Sequence, residues 1–368
     1  MNYQVLARKW RPKRFSDVVG QHYVLAALIN GLRNKQLHHG YLFSGIRGIG
    51  KTTIARIFIK GLNCETSITA TPCCECINCI EIEQGCFIDS IEVDAASRTK
   101  VEDIRDLLDN VQYLPTKGRF KVYLIDEVHM LSRYSFNALL KTLEEPPEHI
   151  KFLFATTDIQ KLPVTILSRC LKLNLKVLNI PQINAKLELI LNTENIKYDK
   201  NAIYLIASVS EGSLRDALNL TDQAIMIGQG RITYENVSQM LGILDEDKSL
   251  SIIESLICAD SLTVMEIIEQ IVYSGFDLEN LLVDVLSRLH SIAMIQLLPT
   301  KQESELISID NRLKKIAKNI SPENLQLFYQ ILLAGRKELA YAPEKRMGVE
   351  MIFLRALAFH PKFIVDEI

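Results

Sequence analysis

The chain has 368 residues, too many for one hydrophobic core, so we expect two or three domains of about 100–200 residues each. Apolar content of 48% and charged content of 23% are those of a soluble globular protein. A net charge of −2 excludes a strong overall basic field for nucleic acid, but it permits a local basic surface. The N-terminus has no secretory apolar core, and no run reaches the roughly 18 apolar residues that span a bilayer. We therefore expect a cytoplasmic protein with reduced cysteines.

A basic segment around the only tryptophan comes first. Residues 8–14 read Arg-Lys-Trp-Arg-Pro-Lys-Arg, and on charge alone this pattern favours a solvated arm. A helix is predicted next from apolar residues at helical spacing. Its apolar positions are Val24, Leu25, Leu28, Ile29 and Leu32.

Residues 45–53 lie between a short apolar strand, residues 41–44, and an apolar helix. They contain G-x-x-x-x-G-K-T, a loop whose glycines let several N–H groups converge on phosphate oxygens. Lys51 is then placed for the β- and γ-phosphates, and the Thr52 hydroxyl for Mg²⁺. The order strand, loop, helix argues against an ordinary glycine-rich turn, because the helix N-terminus also favours phosphate. The predicted nucleotide-binding residues here are Gly45, Ile46, Arg47, Gly48, Ile49, Gly50, Lys51, Thr52 and Thr53.

Four of the eight cysteines follow the loop helix at metal-binding spacing. Cys73, Cys76 and Cys79 form two C-x-x-C steps, and Cys64 can add a fourth ligand from the helix end. Four thiolates favour a closed and hence structural Zn²⁺ site. An iron–sulfur cluster and unmetallated cysteines are the alternatives. Cys74 lacks the two-residue spacing and is rejected as a ligand. The remaining cysteines, expected to be lone buried thiols, are Cys86, Cys170 and Cys258.

Two acidic residues end the third predicted strand. Strands are predicted at 87–93 and 120–125, and the second of these runs directly into Asp126 and Glu127. We assign Asp126 to Mg²⁺ and Glu127 to the attacking water. Such a pair is common on its own, but after a phosphate loop in a βαβ chain it indicates a nucleotide hydrolase. A helix between these strands is predicted from Val101, Ile104, Leu107, Leu108 and Val111.

Two further candidates flank the last strands. A fourth strand is predicted at 151–158, and because strand ends line the ligand crevice of α/β sheets, Thr157 is placed to meet the γ-phosphate. A plain turn threonine is the alternative. Arg169 precedes the last strand, residues 171–175, and on its own it reads as a surface charge. Ser132 is predicted to cap the helix between the third and fourth strands.

From about residue 179 the pattern predicts helices only. Ser213 caps the third of these, and Arg215 lies in its first turn. Residues 245–247 are predicted as a linker. Residues 248–368 contain no metal or catalytic cluster in their sequence, so we expect helical core and subunit packing. The first three helices are predicted at 180–192, 200–209 and 214–228. The later apolar faces are Val264, Ile267, Ile268 and Ile271, then Leu281, Leu282, Val285, Leu286 and Leu289.

With these motifs in view, the chain resembles the gamma/tau ATPase subunits of the bacterial DNA polymerase III clamp loader, a family within the AAA+ ATPases. The resemblance covers essentially all 368 residues. The cysteine insertion and the sequence Ser168-Arg169-Cys170 are more specific to it than the ATP motifs are. Other matching residues are Trp10, Arg11, Pro12, Phe15, Val19, Gly20, Gln21, Asp126, Glu127, Leu167, Gly212, Ser213, Leu214, Arg215 and Asp216.

The resemblance implies an α/β AAA+ phosphate-loop domain, with a parallel five-stranded sheet flanked by helices and a zinc-binding insertion. A small helical lid and an all-helical collar follow. The implied domains are 1–178 with the zinc module at 64–79, then 179–243 and 244–368. The resemblance also implies that Arg169 is an arginine finger acting on a neighbouring subunit, Thr157 the first sensor and Arg215 the second. It places Arg11, Val18 and Val19 at the adenine pocket.

The implied function is ATP-driven opening of the β sliding clamp and its loading on primed DNA, within the DNA polymerase III holoenzyme. ATP, Mg²⁺ and Zn²⁺ are the implied cofactors. The implied partners are delta, delta-prime, further gamma/tau copies, the clamp and primed DNA, with no membrane, in a cytoplasmic replisome at the nucleoid. Longer tau forms add a Pro-rich linker and further domains, so a chain ending at Ile368 is expected to resemble the short gamma form.

Two alternatives stay open. A DNA motor such as a branch-migration helicase shares the ATP motifs, but the zinc insertion and the helical collar argue against it. A non-catalytic zinc-bearing scaffold of the same loader is disfavoured by an intact motif set, namely Lys51, Thr52, Asp126 and Glu127.

Overall fold

The computed structural model describes residues 4–97, 110–242, 246–274, 276–297 and 311–359. The chain divides into two compact units, Met1–Thr233 and Tyr234–Ile368. The helix predicted around 101–111 lies outside the described residues except at its end, where Asn110–Gln112 form a 3-10 turn. Within the described ranges, no helix has the length and apolarity needed to cross a membrane. The division into three domains stays a prediction.

The first unit is built on five parallel strands, and this confirms the predicted α/β class. They are β1 Gly40–Ser44, β2 Ser90–Asp94, β3 Lys121–Asp126, β4 Ile150–Thr156 and β5 Leu171–Asn174. Their order across the sheet is β2-β3-β4-β1-β5. Every residue of β1 and β4 is buried, which explains why both strands read as nearly continuous apolar runs. Because the strands are parallel, their carboxyl ends meet at one edge, where a ligand crevice is expected.

Helices cover both faces of this sheet. The side chains of Tyr41 and Phe43 pack with helices α2 (His22–Arg33) and α3 (Lys51–Asn63) on one face, whereas Leu42 packs with α5 (Arg133–Glu144) on the other, as strand alternation requires. Ser132 and Ser213 cap α5 and α9 (Leu214–Ile227) as predicted, each accepting from a backbone N–H three residues on. The helices are α1 Leu6–Lys9, α2 His22–Arg33, α3 Lys51–Asn63, α4 Ile77–Gln84, α5 Arg133–Glu144, α6 Val164–Leu167, α7 Ile180–Thr193, α8 Lys200–Val209 and α9 Leu214–Ile227. The 3-10 turns besides 110–112 are Phe15–Asp17 and Val128–Met130.

The second predicted strand starts three residues late, at Ser90 instead of Phe87. The reason is Asp89, which is 1% exposed and whose carboxylate accepts hydrogen bonds from the backbone of Thr116, Lys117 and Gly118. This side chain anchors the loop before β3. Asp89 therefore belongs with the loop contacts, and β2 begins one residue later. The fourth strand likewise ends at Thr156, because the Thr156 hydroxyl bonds to Asp158 and turns the chain.

The prediction of helices only after residue 179 is wrong at one place. Lys197–Tyr198 (β6) and Arg231–Ile232 (β7) form a short parallel pair. The pairing continues where Asp199 N–H donates to the Ile232 carbonyl at 2.9 Å. Two residues per strand are too few to show a period in the sequence.

The second unit is all-helical within its described residues. The predicted apolar faces of residues 264–271 and 281–289 lie in its core, confirming the core expected there. The predicted linker at 245–247 is wrong for its last two residues, because a helix begins at Glu246 and acidic residues favour a helix N-terminus. The helices are α10 Tyr234–Leu241, α11 Glu246–Cys258, α12 Ser261–Tyr273, α13 Leu278–Leu297, α14 Asn311–Asn319, α15 Pro322–Glu338 and α16 Lys345–Ala358, with a 3-10 turn at Leu339–Tyr341.

Candidate functional site

A cleft of about 1130 Å³ opens at the carboxyl edge of the sheet in the first unit. Its volume is slightly above the roughly 300–1,000 Å³ usual for small-molecule sites, so a nucleotide fits. Most of the predicted nucleotide-binding residues line it together, although they come from distant parts of the sequence. These are Arg11, Val18, Val19, Arg47, Gly48, Ile49, Gly50, Lys51, Thr52, Thr53, Asp126, Glu127 and Arg215.

The loop between β1 and α3 needs its glycines. Gly48 has φ of +77°, and a Cβ there would lie 2.1 Å from Ser213 Oγ and 3.2 Å from Arg215 Cβ. Only glycine therefore lets the loop approach the start of α9. Gly50 immediately precedes α3. Its φ of +103° lies in the left-handed region that L side chains rarely adopt. The loop delivers the unpaired N–H groups of the α3 N-terminus to the cleft, which suits an anion.

Lys51 is 5% exposed and has no carboxylate bonded to its ammonium group. Its Nζ instead donates to the carbonyls of Gly45 at 2.9 Å and Ile46 at 3.0 Å. Burial lowers the pKa of Lys51, while the charges of Glu127 and Asp126 act in the opposite direction. The two carbonyl bonds are weak enough to be exchanged for phosphate oxygens, since charge-assisted bonds to an anion are stronger.

The two predicted magnesium ligands touch each other. Thr52 Oγ1 donates to Asp126 Oδ2 at 2.7 Å, across the junction of α3 and β3. A hydroxyl and a carboxylate are oxygen ligands of the kind Mg²⁺ prefers, and together with substrate phosphates they complete its usual environment. The donor set therefore fits the ion.

Glu127 has a strained backbone conformation just after β3. Its φ is +48°, a region that is uncommon for residues other than glycine and that is often found at functional sites. Its Oε2 accepts from Thr157 Oγ1 at 3.1 Å and lies 3.5 Å from His129 Nδ1. Thr157 is not among the residues that line the cleft, so its described contact with the site runs through Glu127. Sequence reasoning missed His129, whose only signal was its position two residues after Glu127.

Arginines make the cleft basic. Arg11 Nε donates to Thr53 Oγ1 at 3.1 Å, beside the phosphate loop. Burial, together with the nearby charge of Arg56, lowers the pKa of Arg11 to about 10. Arg56 is itself paired with Glu92 at 2.7 Å. Arg11 and Arg215 both line the cleft and supply positive charge for a polyphosphate.

Arg169 lies elsewhere. It precedes β5, whose first residue pairs beside Tyr41 at the start of β1, whereas the phosphate loop follows the end of β1. Its side chain is 33% exposed, and its guanidinium bonds to Glu144 at 2.7 Å and to the Thr165 carbonyl at 2.8 Å. The structure therefore does not bring Arg169 to the cleft of its own chain.

The four predicted zinc ligands form one cluster. The sulfurs of Cys64, Cys73, Cys76 and Cys79 all lie within 4.8 Å of one another, with 3.5 Å from Cys64 to Cys73 and 3.9 Å from Cys73 to Cys79. Tetrahedral Zn–S bonds of about 2.3 Å place sulfurs about 3.8 Å apart, so the geometry fits zinc. Cys74 is outside the cluster, as predicted, with its sulfur 3.7 Å from the Lys13 carbonyl.

The prediction that the other three cysteines are buried is right only for Cys170. Burial raises the pKa of this thiol to about 12. Cys86 and Cys258 are exposed. Cys86 follows the end of α4 and Cys258 is the last residue of α11, so both lie where apolar periodicity constrains a side chain least.

Residues 8–14 are only in part the solvated arm predicted from charge alone, because Arg8, Lys9, Lys13 and Arg14 are exposed whereas residues 10–12 are half-buried. Trp10 Nε1 donates to Glu194 Oε1 at 2.8 Å, and Lys9 Nζ lies 2.7 Å from Glu194 Oε2. Glu194 ends helix α7 and is 184 residues from Trp10, so no local pattern could reveal this contact.

A parallel sheet with a phosphate loop after β1, two acids at the end of β3, and helices that bring an arginine to the loop define a phosphate-loop nucleotide-binding protein. Three family profiles agree with this fold. "DNA polymerase III, delta subunit" matches residues 20–179, "DNA polymerase III clamp loader subunit, ATPase lid domain" matches 182–230, and "DNA polymerase III subunits gamma and tau domain III" matches 232–368.

Curated relatives identify the family. The chain is 62% identical to DNA polymerase III subunit tau of Escherichia coli K12 over 100% of its own length and 57% of that protein. It is 50% identical to DNA polymerase III subunit gamma of Buchnera aphidicola over 98% of this chain and 99% of that one. The chain therefore belongs to the DNA polymerase III gamma/tau family. It spans little more than half the length of the tau relative.

A solved structure shows a weaker likeness. The Thermotoga maritima RuvB Holliday junction branch migration motor covers 67% of this chain and 79% of its own, at 22% identity and a TM-score of 0.48. That likeness carries no argument about function.

Proposed function

We propose that the chain is an ATP-hydrolysing subunit of a DNA polymerase III clamp loader, which opens a sliding clamp and seats it on primed DNA. The observation that carries this proposal is the convergence of Lys51, the Thr52–Asp126 pair and Glu127 in one cleft, in a member of the gamma/tau family. An inactive scaffold would have no need for this complete set.

ATP enters with its phosphates on the loop. Lys51 exchanges the carbonyls of Gly45 and Ile46 for the β- and γ-phosphates, and backbone N–H groups at the start of α3 bind the same oxygens. Thr52 and Asp126 would hold a magnesium ion, which would supply positive charge against the developing phosphate charge. Glu127 orients and polarises the attacking water, and Thr157 holds the Glu127 carboxylate in position.

Two further groups of cleft residues bind the rest of the nucleotide. Arg215 acts as the second sensor from the first turn of α9, which the Gly48 contact keeps beside the loop. Arg11, Val18 and Val19 form the adenine side. Nucleotide binding thereby joins the sheet and helices α7–α9 around one ligand.

Arg169 completes the site of a neighbouring copy. Support for this role comes from its position: it lies near the start of β1, about 13 Å along the strand from the loop that follows the end of β1. It is half-exposed, so another subunit could contact it once the Glu144 pair opens. A finger supplied in trans delays hydrolysis until subunits align, and in such enzymes it contributes about 10³–10⁵ in rate.

The four cysteines would bind Zn²⁺, and the role of this ion would be structural. All four ligands are protein thiolates, so no open position is left for water. Elemental analysis of freshly purified protein should find zinc together with the chain. Protein that is folded and metal-free would reject this assignment.

The remaining assignments follow from the family. Residues 1–178 form the nucleotide-binding domain, 179–243 the lid, and 244–368 the collar that assembles with delta, delta-prime and further gamma/tau copies. DNA is gripped by its phosphates, which suits a chain of near-neutral charge. The protein acts in the cytoplasm, in the replisome at the nucleoid.

The test is ATP hydrolysis by the chain reconstituted with the other loader subunits. Clamp and primed DNA together should stimulate the rate, and fluorescently labelled clamp should become attached to DNA only with ATP. A hydrolysis rate that the clamp does not change, together with DNA strand displacement, would instead support a DNA motor.

A further inference from the structure

The N-terminal segment of residues 4–14, called here the arm, contacts three parts of the first unit in succession. Leu6 N–H donates to Asp222 Oδ2 at 2.8 Å, and Trp10 bonds to Glu194, so the arm's first half lies on helices α7 and α9. The next residue, Arg11, contacts Thr53 at the nucleotide cleft. The arm therefore reaches the cleft while it is held on the helices of the lid.

The third contact is with the cysteine module, residues 64–84, which ends in helix α4. Lys13 Nζ lies 2.8 Å from Glu83 Oε1, and the other oxygen of Glu83 lies 2.9 Å from Lys60 Nζ. The sulfur of Cys74, the cysteine that is not in the cluster, donates to the Lys13 carbonyl. Two contacts from the module thus meet at Lys13, two residues after Arg11.

Glu83 is also held in place by a second lysine, Lys60. Lys60 belongs to α3 and is only 3% exposed, so its charge needs a partner, and Glu83 is the partner that the structure gives it. Burial raises the pKa of Glu83, but the bonds from Lys13 and Lys60 outweigh it and hold that pKa below its ordinary value. The carboxylate is therefore charged at neutral pH and bridges α3 to the arm.

Helix α4, which carries Glu83, is in turn organised by the cysteine cluster. Cys76 is its N-cap, accepting from Cys79 N–H, and Cys79 lies inside it. A metal ion bound to both residues would fix the start of this helix. The chain of contacts then runs from the cluster through Glu83 and Lys13 to Arg11 in the cleft.

We propose that the cysteine module sets nucleotide affinity: Glu83 is a positioning residue that, through Lys13, holds the arm and Arg11 at the cleft, so that metal loss loosens nucleotide binding. This inference rests on the proposed binding of ATP in the cleft. It gives the module a role besides its own stability.

The experiment uses the full chain and two readouts other than hydrolysis. Trp10 is the only tryptophan, so intrinsic emission reports the arm alone. Affinity is measured by titrating a fluorescent ATP analogue, and bound zinc is measured in the same samples. The test variants are Lys13→Gln and Glu83→Gln. The matched control is Glu81→Gln, on the same helix but paired with Lys117 at 3.0 Å and not with the arm, and Lys13→Arg is the conservative rescue.

Lys13→Gln should weaken analogue binding about two- to fivefold, because its pair is half-exposed. Glu83→Gln should weaken it about tenfold, since it breaks both pairs and leaves Lys60 buried without its partner. Both should shift Trp10 emission while zinc stays bound. Lys13→Arg and Glu81→Gln should match the wild type. Removing zinc with a chelator should reproduce the Glu83→Gln emission in the wild type and change that variant little.

Wild-type affinity and emission in zinc-loaded Lys13→Gln and Glu83→Gln would overturn the inference. If Glu83→Gln does not fold, Lys13→Gln decides alone, because Lys13 is an exposed side chain whose loss buries no charge. Failure of the proposed ATP site is seen separately. In that case the wild type itself binds no analogue, whereas the zinc-dependent shift of Trp10 emission still tests the connection between module and arm.

Discussion

The two ends of helix α3 are built in opposite ways. At its start, Lys51 bonds only to loop carbonyls and Thr52 to a carboxylate that is itself part of the cleft. At its end, about 20 Å away, Asn63 is fully buried, donates to the Phe120 carbonyl, and accepts from two backbone N–H groups. The next residue is Cys64, a member of the cluster.

The difference separates function from stability along one helix. Partners at the first end, called here the open end, can be replaced by a ligand without breaking the fold. Partners at the second, the closed end, are backbone groups of the loop before β3, and nothing else in the described structure satisfies them. We therefore expect substitutions at the open end to change nucleotide chemistry, and those at the closed end to change the free energy of unfolding.

The largest expected effect is at Glu127, which faces the open end. Glu127→Gln keeps the bond from Thr157 but cannot polarise water, so steady-state hydrolysis should fall about 10²–10⁴-fold. Binding of an ATP analogue and thermal stability should match the wild type. A variant that still turns over ATP at the wild-type rate would remove Glu127 from the proposed mechanism.

Lys51→Ala should weaken ATP-analogue binding at least about 100-fold, because two charge-assisted bonds to phosphate are lost. Its unfolding midpoint should be unchanged or slightly higher, since a buried ammonium is removed. Calorimetric titration and denaturant unfolding on one preparation check both. A large loss of stability would show that the open end is structural too.

Asn63→Ala is the counterpart at the closed end. It leaves three part-buried backbone groups without the partner that Asn63 supplies, so unfolding should become easier by about 3 kcal/mol. Asn78→Ala, which loses a single bond to the Asn63 carbonyl, is the graded comparison at about 1 kcal/mol. Folded Asn63→Ala should bind nucleotide within a few-fold of wild type. If Asn63→Ala instead lost nucleotide binding and kept its stability, the closed end would serve nucleotide binding and not the fold.

The smallest effect comes from two helix caps. Ser213→Ala and Ser132→Ala each remove an N-cap bond, and each should cost about 1 kcal/mol of stability. Of these two serines only Ser213 lies beside Gly48, so only Ser213→Ala should also lower nucleotide affinity, by about two- to threefold. Equal affinities in the two variants would mean that contact between the loop and α9 does not influence binding.

Much of the fold and of the candidate site could be predicted from the sequence because the signals are local. The phosphate loop, the acids after β3 and the cysteine spacing each occupy a few consecutive residues. Local patterns also predicted the sheet, since β1 and β4 are buried throughout. The order of motifs predicted that Thr52 and Asp126 both serve Mg²⁺, and the structure brings the two side chains into contact although 74 residues separate them.

Most of the failures share a cause. The bond between Trp10 and Glu194 and the bridge from Lys13 through Glu83 to Lys60 join residues whose own surroundings look like ordinary charged surface. Asp89 looked like a strand residue because its loop partners, residues 116–118, are far along the chain. The β6–β7 pair is too short to have a period. Long-range polar pairing leaves no local trace in one sequence.

In the proposed complex, a nucleotide is shared between copies, one giving the loop and acids and the next giving Arg169. The direct test mixes two inactive chains, Glu127→Gln and Arg169→Ala, in one reconstituted loader with clamp and primed DNA. Each alone should bind ATP and hydrolyse almost none. Mixed, they should recover part of the wild-type rate, because some interfaces then join an intact Glu127 to an intact Arg169. No recovery, with both chains shown to be in one complex, would contradict the account.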